Sequence, residues 1–200
     1  MPPGAHQAIR QLVRQKGLVR LRDAKARGIH PEYLRRLVSK GELARVGWGL
    51  YAPRNAEITE HHSLAEVAAR VPHGVVCLLT ALRVHGLGSQ NPKKVWLAVD
   101  RKAALPRFKY PPVRIVRFAK PALTQGVESR RMEGVTVRLT TPARTVVDCF
   151  KYRNKTGLEV ALEALRAFRR RRDFKLDEIW KYATLQRVAR VMKPYLEALA

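Results

Sequence analysis

The segment 17–53 constrains the fold more than any other part of the chain. Its pattern predicts a short helix over residues 21–26, a glycine turn, and a second helix that begins at His30 or Pro31. Proline suits the first position of a helix, because the amide hydrogen that it lacks would have no partner there. Glycine is typical of the residue after a helix, so Gly41 predicts the end of the second one.

The second helix has an apolar face and a basic face. Leu34, Leu37 and Val38 recur with helical spacing and form the apolar face. A helix of this kind is as often a solvated surface helix as a nucleic-acid contact, so the pattern needs support from its surroundings. The residues that we expect to approach DNA are His30, Tyr33, Arg35, Arg36 and Lys40.

Two short extended runs follow this helix, at 42–46 and 50–52. The sequence Gly-Trp-Gly between them has the glycine content of a tight hairpin. The order helix, turn, basic helix, hairpin is that of a winged helix-turn-helix, whose second helix enters the DNA major groove. Arg45 and Trp48 would then lie in the hairpin, or wing, beside the DNA backbone, although Trp48 is also an ordinary packing residue.

The charge of the chain indicates a polyanionic partner. The sequence has 40 Lys and Arg against 16 Asp and Glu, which gives a net charge of +24. Such a charge is evidence for binding to nucleic acid or to an anionic membrane surface, but it does not determine the fold. Hydrophobic residues make up 46% of the chain, which is enough for buried cores.

The sequence lacks the signals of a membrane or secreted protein. No apolar run approaches the roughly 18 residues that a membrane-spanning helix needs. The N-terminal residues lack the apolar stretch of a signal peptide. Cys77 and Cys149 are too few for a disulfide scaffold and are not spaced as metal ligands. We therefore expect a cytoplasmic protein with free thiols and no membrane partner.

The pattern of elements predicts two domains of an α+β protein. Residues 1–54 would form the winged helix-turn-helix, which begins with a helix over 6–16 that Gly17 closes. Residues 57–200 would form a mixed domain with a small antiparallel sheet and a helical C-terminal pack. Its expected elements are a helix over 60–71 capped by Thr59, an apolar segment at 75–85, strands at 95–99 and 113–118, a hairpin at 127–139, a helix capped by Thr141, and helices over 157–170, 176–185 and 188–199.

Nothing in the sequence predicts catalysis, a cofactor or a metal site. Asp100 and Lys102 at a strand end resemble part of a metal-dependent nuclease site, but a two-carboxylate magnesium site needs a second acid nearby. His61 and His62 have no third metal ligand close in sequence. A nuclease centred on Asp100 and Lys102 therefore stays the less favoured alternative.

Several other charged groups have two interpretations. Arg144 and Asp148 are spaced to pair on one helix, and we expect a structural ion pair. Two basic clusters are either solvated or additional nucleic-acid contacts. Their residues are Arg101, Lys102, Arg107 and Lys109 in the first, and Arg169, Arg170, Arg171 and Arg172 in the second.

Four segments together resemble the AbiEi family of antitoxins from type IV toxin–antitoxin systems. They read GELARVGWGLYAP, LLTALRVHGL, KKVWLAVDRKA and TPARTVVDCF, and their order is more specific than any one of them. The resemblance implies a bacterial two-domain autorepressor whose winged helix binds inverted repeats in its own promoter. It also implies that the second domain is needed to oppose a nucleotidyltransferase-like toxin, without a stable complex.

The resemblance has two departures. Relatives often have Ser or Thr at the start of the second helix, where this chain has His30 and Pro31. Some relatives continue into a nuclease-like extension, and we do not expect that activity in a chain whose sequence ends at Ala200. Besides the repressor, an RNA-binding or toxin-binding protein that uses the winged helix as an interaction surface stays an alternative.

Overall fold

The structure is a computed structural model, and it describes residues 7–9, 11–13, 17–47, 49–55 and 61–198. The chain divides into two compact units. Unit 1 comprises Met1–Pro72 with Arg130–Val137, and unit 2 comprises His73–Ser129 with Arg138–Ala200. The predicted functional domains, 1–54 and 57–200, stay a prediction. The predicted mixed α+β class is confirmed.

Unit 1 has the element order of a winged helix. Residues 7–9 and 11–13 are helical, while His6, Lys16, Trp48, Thr59 and Glu60, on which parts of the prediction rest, lie outside the described residues. The elements that follow are β1 (Val19–Arg20), α1 (Leu21–Lys25), α2 (Pro31–Ser39), β2 (Leu43–Gly47), β3 (Leu50–Pro53) and α3 (His62–Arg70).

The three strands form an antiparallel sheet in the order β1-β3-β2. Strand β1 was not predicted, because a two-residue strand has no periodicity of its own. Val19 pairs with Tyr51 and Arg20 with Leu50, so the wing is joined to the chain just before α1. This pairing completes the winged helix-turn-helix, and the prediction of that fold is confirmed.

The core of unit 1 forms beneath α2. Leu34 and Leu37 are 0% and 2% exposed, as the apolar face predicts, and Val38 packs at the edge of the same cluster. Burial of each leucine stabilises the fold by about 1.5–3 kcal/mol. The buried side chains of this cluster are Ile9, Leu12, Val13, Val19, Ala24, Ile29, Leu34, Leu37, Leu43 and Tyr51.

Gly17 lies beyond the described helical residues 7–9 and 11–13. Its amide donates to the carbonyl oxygen of Val13 at 2.8 Å, and its φ of +62° lies in the left-handed region. A Cβ at this position would overlap the backbone carbonyl of Glu133, which lies at the hairpin tip that belongs to unit 1. Gly28 has a similar φ of +71°, but a Cβ there would meet no atom of the described residues within 4 Å.

This contrast predicts different costs for the same substitution. Gly28→Ala should lower the free energy of unfolding by only about 1–2 kcal/mol, which is what a left-handed backbone costs an L-residue. Gly17→Ala should lower the free energy of unfolding by about 1–3 kcal/mol more than Gly28→Ala does, because the backbone must move to relieve the overlap. Urea unfolding of the full-length variants measures both values. Equal destabilisation would show that the hairpin tip does not pack against Gly17.

Unit 2 is built on a five-stranded sheet and a group of helices. Its elements, including two strands of which part is assigned to unit 1, are β4 (Val75–Val76), α4 (Leu78–His85), β5 (Val95–Asp100), β6 (Val113–Phe118), a 3₁₀ turn (Lys120–Leu123), β7 (Val127–Met132), β8 (Val135–Thr140), α5 (Pro142–Lys151), α6 (Arg153–Thr156), α7 (Leu158–Arg169), α8 (Leu176–Leu185) and α9 (Ala189–Glu197). The predicted strands and long helices are confirmed to within a few residues, and the short α6 was not predicted.

The larger sheet has the strand order β6-β5-β4-β8-β7. Strand β4 is antiparallel to β5, whereas β5 with β6 and β4 with β8 are parallel pairs. The parallel pairs were not predicted, because they join strands that are separated by long connections. Strands β5 and β6 pair along their whole length, from Val95 opposite Val113 to Asp100 opposite Phe118.

Helix α5 lies at the centre of the core of unit 2, and all its residues from Ala143 to Phe150 are buried. Thr141 occupies the predicted N-cap position, but its side chain makes no capping hydrogen bond. The expectation that its hydroxyl caps the helix was therefore wrong. The amide of Thr141 instead donates to the carbonyl oxygen of Gly126 at 2.9 Å, which joins the start of α5 to the loop before β7.

The predicted pair of Arg144 and Asp148 is a fully buried ion pair. Nε of Arg144 donates to Oδ1 of Asp148 at 2.9 Å, and both side chains are 0% exposed. Arg144 also donates to the carbonyl oxygens of Gln125 at 2.6 Å and Ala122 at 3.3 Å. Burial raises the pKa of Asp148 to about 6, although the arginine opposes this shift. The pair joins α5 to the 3₁₀ turn.

Replacement of one member of the buried ion pair should lower the free energy of unfolding far more than replacement of both members. Arg144→Met leaves a buried carboxylate without its cation, and we expect a loss of about 3–5 kcal/mol in the free energy of unfolding. Arg144→Met with Asp148→Leu should recover much of this loss, because no uncompensated charge stays in the core. Urea unfolding of the three proteins measures the effect. A double variant as unstable as Arg144→Met would contradict this account.

Candidate nucleic-acid interface

Helix α2 begins at Pro31 with His30 as its N-cap residue. The Nδ1 atom of His30 accepts a hydrogen bond from the amide of Glu32 at 3.3 Å. This interaction satisfies one of the amides that lack a partner at a helix start, as a Ser or Thr oxygen does in other proteins. The departure from Ser or Thr therefore preserves the cap, and it places an exposed imidazole at the end of the helix that enters a groove in this motif class.

The exposed face of α2 carries the predicted arginines. Arg35, Arg36 and Ser39 are exposed and fall within an arc of about 100° at 3.6 residues per turn. Leu34 and Leu37 occupy the opposite side, in the core. Packing of the leucines therefore turns both guanidinium groups to solvent. Lys40, also predicted as a contact, follows the helix as an exposed C-cap residue.

The two arginines of α2 differ in their environments. Nη1 of Arg35 pairs with Oε2 of Glu32 at 3.3 Å, and the two side chains are 75% and 47% exposed. Among the described residues, Arg36 makes no side-chain hydrogen bond or ion pair. An exposed pair of this kind is worth at most about 1 kcal/mol, so Arg35 can exchange Glu32 for a phosphate at little cost.

Tyr33 lies on the flank of α2, half-buried, and packs against the core cluster of unit 1. This position gives Tyr33 a packing role that the sequence did not predict. Its role as a DNA contact stays a prediction.

The wing is formed by β2 and β3. Arg45 of β2 is exposed, and its Nε donates to the carbonyl oxygen of Gly47 at 3.4 Å. Trp48, the other predicted wing residue, lies outside the described residues. A Cβ at Gly47 would overlap the guanidinium of Arg70, which pairs with the buried carboxylate of Glu66. The glycine therefore lets the wing approach α3 closely.

Helix α1 contributes a basic surface that the sequence analysis did not include. Arg22, Lys25 and Arg27 are all exposed, in or directly after this helix. The first helix of a helix-turn-helix crosses the DNA backbone, where such residues contact phosphates. Arg20 differs from them, because it forms two hydrogen bonds with Asp23, at 2.8 and 2.9 Å. The density of basic residues in 20–27 is the signal that would have found this surface.

The residues of the two basic clusters in unit 2 differ in exposure and in hydrogen bonding. Arg101, Lys102, Arg107 and Lys109 are exposed in the segment between β5 and β6, and Arg169, Arg170 and Arg172 are exposed after or at the end of α7. Arg171 is half-buried and donates to both carboxylate oxygens of Asp173, at 2.8 and 2.9 Å, and to the carbonyl of His85 at 2.8 Å. Arg171 therefore has a structural role, and nucleic-acid contact by the others stays a prediction.

The carboxylate of Asp100 accepts a hydrogen bond within its own turn. Its Oδ1 accepts from the amide of Lys102 at 2.8 Å. Nδ1 of His62 lies 2.7 Å from a carboxylate oxygen of Glu133 in unit 1. In the described part of the chain, no group of three or more His, Cys, Asp or Glu residues could hold a metal ion.

No described helix is long and apolar enough to cross a membrane.

A comparison with known protein families finds a match to the first part of the chain. Residues 7–54 match the model of a family described as a transcriptional regulator, AbiEi antitoxin. The predicted resemblance to AbiEi antitoxins is confirmed for these residues. The match covers the winged helix-turn-helix, including α1, α2 and the wing. It supports a regulator that binds DNA, and the matched segment contains every predicted contact of α2.

A solved structure resembles most of the chain in fold. It is the crystal structure of the RV2827C protein from Mycobacterium tuberculosis, with 17% sequence identity and a TM-score of 0.59. The alignment covers 92% of this chain and 72% of that one. At this identity the likeness shows a shared fold alone. No curated protein matches the chain.

The geometry of α2 predicts which charges matter for DNA binding. Arg35→Ala with Arg36→Ala should change the free energy of unfolding by less than about 0.5 kcal/mol, because both side chains are exposed. The free energy of binding to a duplex target should become less favourable by about 1–3 kcal/mol for each arginine that contacts a base. The control is Arg166→Ala with Arg190→Ala, which removes two exposed charges from unit 2. Mobility-shift titrations that give equal losses for both variants would assign the effect to net charge and not to α2.

Proposed function

We propose that the protein is a DNA-binding transcriptional repressor of its own promoter and the antitoxin of a type IV toxin–antitoxin system. The observation that carries the proposal is the exposed basic face of α2 within a winged helix-turn-helix that matches an AbiEi regulator family. Helix α2 enters the major groove, α1 crosses the backbone, and the wing lies along it. The operator is a pair of inverted repeats.

The contacts of this complex follow from the positions of the side chains. Arg36, and Arg35 after release from Glu32, read base edges in the major groove, where arginine pairs with guanine through two hydrogen bonds. His30 approaches the groove at the helix start, and Lys40 and Arg45 contact phosphates. In unit 2, the exposed arginines and lysines contribute to the positive field that attracts DNA.

The chemistry of this surface favours a polyanion over a protein partner. The centre of a protein interface is depleted in charged residues and enriched in large apolar ones. Among the described residues, the exposed large apolar side chains are Leu105, Tyr110 and Leu176, and all three lie in unit 2. The face of α2 therefore suits DNA better than it suits a toxin or another protein.

The antitoxin part of the proposal rests on the AbiEi match at residues 7–54 and on the resemblance of the later segments to that family. In this proposal unit 2 opposes a nucleotidyltransferase-like toxin in the cytoplasm, without a stable complex and without catalysis by the antitoxin. Magnesium-dependent DNA cleavage that disappears in Asp100→Ala would favour the nuclease alternative.

One experiment separates repression from toxin neutralisation. The full-length protein and Arg35→Ala with Arg36→Ala are expressed from a foreign promoter, beside a reporter for the native promoter and the neighbouring toxin gene. We expect the variant to lose repression of the reporter and to keep rescue of growth, because unit 2 is unchanged. Arg166→Ala with Arg190→Ala is the control for repression. Loss of rescue by a folded variant would contradict a separate antitoxin role for unit 2, and retained repression would contradict the role of α2.

A further inference from the structure

Unit 2 contains a cleft that the proposed DNA surface does not use. Its volume is about 490 Å³, within the range of sites for small molecules. It is formed where the ends of β5, β6, α5 and α8 come together. Its polar lining residues are Arg101, Arg117, Lys151, Tyr152, Gln186 and Arg187. None of the described residues that line it is acidic, so four cations face one space.

The cations of the cleft act on one another. The pKa of the Lys151 ammonium group is lowered, first by partial burial and then by the positive charges of Arg144, Arg101 and Arg187. The carboxylate of Asp148 is the largest opposing influence on this pKa, but it does not line the cleft, and it is fully buried in its pair with Arg144. The cleft therefore keeps an excess of positive charge, which an anion would relieve.

Arg117 holds the wall of the cleft in place. Its Nη1 donates to the carbonyl oxygens of Asp100 at 2.7 Å and Ala103 at 2.6 Å. These bonds fix the turn after β5 that carries Arg101. Since Arg101 itself makes no side-chain hydrogen bond or ion pair among the described residues, its guanidinium is available to a ligand.

Gln186 supplies a donor without a partner. This residue is 5% exposed, and its Oε1 accepts from Nζ of Lys151 at 2.5 Å. That bond determines the orientation of the amide, whose Nε2 is buried and has no hydrogen-bond partner among the described residues. A buried donor without an acceptor is unfavourable, so a ligand that brings an oxygen atom to Nε2 gains from it.

Tyr152 adds an aromatic wall and a hydroxyl. Its ring stacks on Phe118, with centroids 5.9 Å apart and planes 16° apart. The Tyr152 hydroxyl is protonated at neutral pH and can donate a hydrogen bond, and burial raises its pKa further, to about 12. An aromatic wall beside a cationic group suits a ligand with an organic part as well as an anionic one.

We propose that this cleft binds a small phosphate ester up to the size of a nucleotide. Arg101, Lys151 and Arg187 neutralise the phosphate, and the amide of Gln186 donates to one of its oxygens. Guanidinium and ammonium groups form charge-assisted hydrogen bonds with phosphate, which are stronger than neutral ones. A duplex is far wider than a cleft of this volume, so the site selects small molecules over DNA.

Isothermal titration calorimetry of the full-length protein at physiological ionic strength tests the proposal. The probes are inorganic phosphate, ribose 5-phosphate and adenosine monophosphate. We expect saturable one-to-one binding, with the esters tighter than inorganic phosphate. Arg101→Gln should weaken ester binding by about 10- to 100-fold, because a charge-assisted hydrogen bond is lost. Gln186→Met should weaken it by about 3- to 10-fold, as expected for one neutral hydrogen bond.

Arg166→Gln is the matched control, because it removes one exposed charge on α7 outside the cleft. This variant should bind the esters within twofold of wild type, and thermal melts should show that all three variants are folded. Equal weakening by Arg166→Gln and Arg101→Gln, or no binding of any probe, would overturn the proposal. So would displacement of the ester by a short duplex, or inorganic phosphate binding as tightly as the esters.

Discussion

The burial of Leu34 and Leu37 is the interaction on which the DNA-binding arrangement of unit 1 depends. Helix α2 has nine residues, and a helix of that length is marginal in water without packing. The two leucines hold it against the core, and their burial is worth about 1.5–3 kcal/mol each. Because a helix has one inner and one outer face, the same packing turns Arg35 and Arg36 to solvent. The basic surface is therefore a consequence of the core.

Unit 2 uses its core helix in a similar way. Helix α5 is buried along almost its whole length, and the ion pair of Arg144 and Asp148 joins it to the turn before β7. Its end carries Lys151 and Tyr152 into the cleft, and the residues after α8 bring Gln186 to the same place. A rigid core helix thus positions a lysine that a flexible loop would place less accurately.

The net charge of +24 alone does not distinguish the two cationic surfaces. The face of α2 is exposed and convex, and its guanidinium groups suit the grooves of a duplex. The cleft is concave and has a buried amide donor that has no hydrogen-bond partner among the described residues, which suits a small anion. Shape and desolvation therefore separate the two kinds of anionic partner, whereas charge attracts both.

Local chemistry determined part of this protein from the sequence alone. Pro31 and Gly41 set the limits of α2, the leucine spacing set its inner face, and the spacing of Arg144 and Asp148 predicted their pair, since all these signals act within a few residues. Tertiary structure alone decided the pairing of β1 with β3, the parallel strands, the structural role of Arg171 and the cleft. These features join residues far apart in the chain. Their positions depend on how whole elements pack, and no local periodicity records that.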